Sequence, residues 1–129
     1  MAGDTPPPGP VRIEVVFNQA NANYANGLTT TPEGYVQYPD LPHLYGGGLR
    51  SGLPAGYGIQ KNPASGKTYE GGWKDGRAHG YGVFYYANGD RYEGGWKAGF
   101  QHGYAELTGS LGGTPTRVEA FYKDGVRMS

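Results

Sequence analysis

The sequence predicts an all-β protein, a single-layer antiparallel meander of stacked β-hairpins. Three observations predict it. Residues 69–82 recur as residues 92–105, a period of 23 residues, within the range where self-similarity signals a repeat architecture rather than one compact core. Glycines stand at fixed offsets between aromatic rings: both copies read Tyr-Glu-Gly-Gly-Trp-Lys-x-Gly, two variable residues, then His-Gly-Tyr-Gly or His-Gly-Tyr-Ala. No segment carries apolar residues at a helical period.

Taken in order, residues 1–10 (MAGDTPPPGP) read as a flexible Pro/Gly N-terminus. They hold an acid and no apolar run, unlike a signal or transit peptide, and Ala2 excludes N-myristoylation. Residues 11–44 read as a degenerate first repeat with a long loop, with strands expected near 11–17 and 34–38. Two alignments of this region stand side by side. One matches Arg12-Ile13-Glu14 to Arg117-Val118-Glu119, and the other sets Tyr24-Ala25-Asn26-Gly27 on Trp73-Lys74-Asp75-Gly76.

Residues 45–125 form the repeat sheet proper, with further strands expected near 45–50, 56–60, 68–74, 81–86, 91–97, 103–108 and 116–123, about nine in all; residues 126–129 are a tail. Tyr45 opens an earlier copy that keeps every glycine and puts Leu49 where the tryptophans stand. In the first clear copy Tyr69, Gly71 and Trp73 share one strand face. Asp75-Gly76 suits a two-residue type I′ turn, because both central positions need positive φ. That turn sets Trp73 against Ala78, Gly71 against Gly80 and Tyr69 against Gly82, so that large rings cover bare backbone. An odd period then requires one odd loop or bulge between copies. A three-residue loop with Gly89 left-handed satisfies this and would place Tyr86 opposite Tyr92.

The pattern carried by Tyr69, Gly71, Trp73, Gly76, Gly80 and Gly82 resembles the MORN repeat, Tyr-x-Gly-x-Trp-x-x-Gly-x-x-x-Gly-x-Gly. The second copy, through Tyr92, Gly94, Trp96, Gly99 and Gly103, departs from it only at Ala105. The resemblance implies a MORN-repeat sheet of four to five repeats, similar to the short scaffolds of the radial-spoke head, with Gly71, Gly76, Gly80, Gly82, Gly94, Gly99 and Gly103 as structural glycines. It also implies a cytoplasmic setting in a ciliary or flagellar axoneme or the cytoskeleton.

A single sheet offers no second layer to cover its apolar face. Tyr45, Leu49, Tyr69, Trp73, Phe84, Tyr86, Tyr92, Trp96 and Tyr122 are therefore expected to form a half-exposed aromatic stripe, and such a patch marks an interaction site. The function expected is a non-enzymatic scaffold or adaptor, holding a helical or extended protein segment in an aromatic groove within a multi-subunit complex. The alternatives are a peripheral phosphoinositide- or membrane-binding module and a noncatalytic subunit of a larger enzyme complex. The edge at residues 118–123 is a second candidate surface, where a partner strand or a second copy would pair, with Arg117, Lys123 and Arg127 tuning the choice; the plainer reading is that the sheet ends there.

Composition narrows the chemistry. The chain has 25 glycines, 10 prolines, no cysteine and a formal net charge of zero. No broad positive field draws nucleic acid, and no cluster of basic residues favours more than weak membrane binding. His79 and His102 fall at equivalent repeat positions with no carboxylate or cysteine repeating beside them, so they read as structural or surface residues and no metal is expected. Ser65-Gly66-Lys67-Thr68 resembles the end of a phosphate loop, but Lys61 stands where that motif needs its first glycine. Glu70 with Lys74, and Glu93 with Lys97, read as solvated pairs opposite the aromatics. No nucleophile or paired-carboxylate arrangement is present, and no cofactor is expected.

Overall fold

The computed structural model describes residues 11–14, 29–30, 35–37, 43–111 and 114–129. They contain one antiparallel sheet in which the strands follow chain order: β1 (Thr29–Thr30), β2 (Val36–Gln37), β3 (Leu44–Arg50), β4 (Leu53–Lys61), β5 (Thr68–Lys74), β6 (Arg77–Tyr85), β7 (Arg91–Lys97), β8 (Phe100–Leu111), β9 (Thr114–Lys123) and β10 (Val126–Arg127). The meander of consecutive hairpins is as expected, with no helix among the described residues.

Tight turns set the register. Ser51-Gly52, Asp75-Gly76, Ala98-Gly99 and Asp124-Gly125 all have positive φ at both residues, the type I′ signature whose twist matches the flanking strands. The next connection, Ala87-Asn88-Gly89, is the expected odd loop. Gly89 has φ 94°, its N–H donates to Tyr86 O, and the Tyr86 N–H donates to Asp90 O at 2.8 Å. The loop therefore closes one residue earlier than expected, so Tyr92 faces Phe84 rather than Tyr86.

The ring-to-glycine pairing is also shifted. Trp73 does face Ala78, but Gly71 faces Gly82 and Tyr69 faces Phe84. Between these pairs β6 carries two more residues than β5, a bulge spanning His79, Gly80 and Tyr81. The same irregularity separates Gly94 from Trp96 in the β7–β8 pair and Gly47 from Leu49 in the β3–β4 pair. Gly80 and Gly103 lie in these bulges with φ 93°, a conformation an L side chain resists. The bulged strand passes so close that a Cβ on Gly72 would stand 2.3 Å from His79 O.

Successive hairpin tips are tied together. Gly76 N donates to Pro54 O, Gly99 N to Ala78 O and Gly125 N to Gln101 O, at 2.8–2.9 Å. His79 Nδ1 accepts from Ala98 N at 3.5 Å and His102 Nδ1 from Asp124 N at 3.3 Å, so the paired histidines fasten each tip to the next turn.

Residues 11–14 do not form the opening strand expected at 11–17. They cross to distant hairpin tips, with Arg12 bridged to Phe100 and Glu14 to Arg77. Ile13 N donates to Gly99 O at 2.8 Å and Ala78 N donates to Ile13 O at 3.1 Å. The Ile13 side chain is buried within the aromatic cluster, and Glu14 pairs with both Arg12 and Arg77. The remainder of the expected strand, residues 15–17, lies outside the described residues, as do Tyr24 to Gly27 and residues 1–10.

The far edge differs from expectation too. β10 already pairs Val126 with Lys123 and Arg127 with Tyr122, and Met128 N donates to Phe121 O at 2.6 Å, so among the described residues only the part of β9 before Phe121 keeps an open outer edge. On this strand Ala120 and Phe121 occupy the register positions that Gly71-Gly72 and Gly94-Gly95 fill in the inner repeats. Their side chains stand where the bulged return strand would pass.

The close approach at Gly71 yields a test. An added Cβ would meet Gly82 Cα at 2.4 Å and Tyr81 O at 2.5 Å, both rigid backbone. Gly71→Ala should lower unfolding free energy by about 2–4 kcal/mol in urea denaturation. Gly66→Ala, with φ +80° but nothing within 4 Å, should cost only about 1–2 kcal/mol. Equal losses at the two sites would remove the interlock between strands as the reason for the glycine.

Candidate interaction face

One face of the sheet is an unbroken file of rings. Tyr45, Tyr69 and Tyr92 begin the successive repeats, and each folds back so that its hydroxyl donates to the carbonyl three residues on, Gly48 O, Gly72 O and Gly95 O, at 2.6–2.8 Å. The rings of Tyr45 and Tyr69 then lie over a glycine of the neighbouring strand. A Cβ on Gly82 would be 2.3 Å from Tyr69 Oη, and one on Gly58 would be 2.1 Å from Tyr45 Oη. The tryptophans bind in the opposite sense, Trp73 Nε1 donating to Gly58 O of the preceding hairpin and Trp96 Nε1 to Gly82 O.

These constraints bring the rings into edge-to-face contact across repeats. Tyr45 meets Trp73 at 5.4 Å, Tyr69 meets Trp73 at 5.3 Å and Trp96 at 4.9 Å, and Tyr92 meets Trp96 and Tyr122 at 5.2 Å each. Phe84 joins through Tyr86 at 4.9 Å. Such pairs add about 0.5–1.5 kcal/mol each beyond the area they bury.

The half-exposed stripe expected from the sequence is therefore a closed core. Tyr45, Tyr69, Trp73, Phe84, Tyr92 and Trp96 are all buried, and Tyr86 and Tyr122 pack against them half-buried. The rings cover one another, because Tyr45 and Tyr69 fill the space over glycines and each tryptophan fills the space between tyrosines. Leu49 alone stands apart, 42% exposed. It occupies the tryptophan position of the first hairpin, but β2 pairs only with Tyr45 and Leu44 and gives it no neighbouring strand to lie across.

The opposite face carries a second row that the sequence reading passed over. Tyr57, Tyr81, Tyr104 and Phe121 are largely exposed. Tyr57 Oη donates to Glu70 at 2.6 Å, Tyr81 to Glu93, and Tyr104 Oη is bonded to Glu119. The signal lay in the repeat itself, the tyrosine of each Gly-Tyr-Gly or Gly-Tyr-Ala being matched by a glutamate one strand later. Glu93 is also paired with Arg91, and Glu106 with Arg117, so the expected pairs Glu70 with Lys74 and Glu93 with Lys97 give way to Tyr57 for Glu70 and to Tyr81 and Arg91 for Glu93.

Among the described residues no group of three His, Asp or Glu side chains could hold a metal ion, and no helix is long and apolar enough to cross a membrane. A cavity of about 390 Å³ opens beside the aromatic core, between the segment at Ile13 and the β4–β5 turn.

The family model described as the MORN repeat matches this chain at residues 69–91 and 92–114, which run from β5 to the first residue of β9. MORN repeats are noncatalytic modules that generally mediate protein or membrane interactions. A search of curated proteins finds no match to the chain.

Burial of the ring hydroxyls gives the core a pH dependence. Burial pushes Tyr45 from 10 up to about 12 and raises Tyr69 and Tyr92 further, while the hydrogen bond to Glu93 carries Tyr81 to about 12. A raised folded-state pKa contributes stability that is complete below pH 10 and lost as pH climbs through the folded values. Phenolate absorbance should therefore appear mostly above pH 10 and rise together with loss of the strand signal in circular dichroism. Titration of all tyrosines near pH 10 with the sheet intact would contradict the buried ladder.

Proposed function

We propose that this chain, which carries MORN repeats at residues 69–91 and 92–114, is a non-enzymatic scaffold that holds an extended protein segment along the hairpin tips of its aromatic face, within a larger assembly. One observation carries the reading. The site already holds an extended segment, residues 11–14, through backbone bonds to Gly99 O and Ala78 N and through burial of Ile13 among the rings. Backbone bonds supply sequence-tolerant affinity and the apolar slot supplies selection, the logic of strand-mediated peptide capture. A helix satisfies its own backbone and would leave those two groups unused, so the extended partner fits better than the helical one. The family resemblance supports a cytoplasmic setting in an axonemal or cytoskeletal assembly. The stretch of β9 before Phe121, which no described strand pairs on its outer side, is a second contact in the same proposal, open to a partner strand.

The membrane reading draws no support from charge. The formal net charge is zero, and two of the arginines on the face opposite the rings are engaged by Glu93 and Glu106.

Because Trp73 and Trp96 are buried, truncating them tests stability more than binding. Ile13→Asp is the better probe, since it expels the internal occupant. Affinity capture from native extract with crosslinking mass spectrometry should yield a stoichiometric protein linked through Lys74 and Lys97, both beside the tips, and Ile13→Asp should raise its recovery severalfold. Recovery of lipid vesicles without such a protein, or a protein with no links at Lys74 or Lys97, would contradict the proposal.

A further inference from the structure

The cavity beside the core contains a chemical anomaly. Gln60, Phe84 and Leu107 hold the same place in successive repeats, each two residues beyond the Gly58, Gly82 or Ala105 position. Phe84 and Leu107 are apolar as a core position requires, but Gln60 is polar, only 5% exposed, and its Nε2 has no hydrogen-bond partner among the described residues. Leaving a buried donor unmatched costs about 1–3 kcal/mol. The other buried glutamine, Gln101, is satisfied through Tyr86 Oη at 3.2 Å.

Gln60 lines the cavity, and so does His43, whose buried Nδ1 is likewise without a partner among the described residues; both nitrogens are closed off in this conformation, so a ligand oxygen meets Gln60 Nε2 only when the side chain turns toward the cavity. Lys67 stands at the mouth, exposed and without an ion-pair partner among the described residues. Ile13, Tyr69 and Phe84 supply apolar wall, and no aspartate or glutamate lines the space. A volume of about 390 Å³ falls in the range of small-ligand sites, which are apolar clefts with a few convergent polar groups.

We propose that this cavity binds a carboxylate carried on a short apolar stem, with Gln60 Nε2 and Lys67 holding the oxygens and Ile13, Tyr69 and Phe84 the stem. A carboxylate is the complementary group because it is acceptor-only and can take several donors at once, and bonds to it are stronger than those to a neutral carbonyl. An amine would set a cation beside Lys67 and leave Gln60 Nε2 facing another donor. Because Ile13 forms part of its wall, the site exists in the form in which residues 11–14 lie across the hairpin tips, and a segment that displaced them would remove it.

The test is a two-dimensional amide NMR titration of the full chain with 3-phenylpropionate, with 3-phenylpropylamine as the charge-reversed control. The acid should shift the Gln60 side-chain amide and the backbone around Lys67 saturably at millimolar concentration, and the amine should not. Gln60→Leu restores the residue type of its sibling positions, so it should raise the melting temperature while weakening the acid about tenfold or more, the equivalent of one hydrogen bond to a charged group. Lys67→Gln, at an exposed position, should weaken it with the melting temperature unchanged. Acetyl-Gly-Phe with a free C terminus, against its amidated form, separates the sources: tighter binding than phenylpropionate assigns the carboxylate to a protein C terminus, and weaker binding assigns it to a free organic acid. Absence of saturable shifts, equal shifts by acid and amine, or undiminished acid binding by Gln60→Leu would overturn the proposal and leave the cavity to water.

Discussion

The structure depends on a tyrosine ring laid over a glycine. In each repeat the hydroxyl of Tyr45, Tyr69 or Tyr92 is anchored three residues along its own strand, and for Tyr45 and Tyr69 the ring fills the place where the neighbouring strand would carry a side chain. This converts glycine, otherwise a weak strand former, into the seat of the core. The rest follows from it. The partner strand carries glycine at the position covered by Tyr45 and by Tyr69, and the small Ala105 takes the equivalent place in the Tyr92 repeat. That strand must also bulge around Gly72 or Gly95, and it must then turn tightly enough to bring the next ring into contact.

A single sheet can in this way bury an apolar core without a second layer, because most of its covering comes from its own side chains. The remaining share comes from the segment at Ile13, which lies across two hairpin tips far from it in sequence. The same arrangement limits what the face can do. With the rings mutually buried, binding has to use what the ring ladder leaves open: the backbone groups at the tips, the slot filled by Ile13, the cavity beside it and the outer edge of β9. The opposite face is different in kind, since its tyrosines are exposed and tied to glutamates rather than to one another.

The hairpin order, the Asp75-Gly76 turn, the odd loop at Gly89 and the shared face of Tyr69 and Trp73 were legible because each is a local consequence of spacing. The bulge at Gly80 was not. Its two additional residues preserve the alternation of faces, so the side-chain pattern is the same with it or without it, and only the pairing of Gly71 with Gly82 reveals it. The burial of the aromatic stripe was missed for a related reason. Alternation tells which residues share a face, whereas burial depends on diagonal contacts such as Tyr69 with Trp96, which cross from one repeat to the next. The placement of Ile13 was beyond reach, since nothing local ties Arg12 to Phe100. Gln60 could have been found, because alignment of the repeats sets it against Phe84 and Leu107.

The central claim is that the rings couple neighbouring repeats into one unit. Native-state amide hydrogen exchange on Tyr69→Ala tests it most directly, since Tyr69 touches both the tryptophan of its own repeat and that of the next. The account predicts faster exchange in β5 and β6 and, to a similar degree, in β7 and the start of β8, where Trp96 loses its partner. Faster exchange confined to β5 and β6, with β7 and β8 as protected as before, would mean that the hairpins stand independently and that the ring ladder does not hold the sheet together.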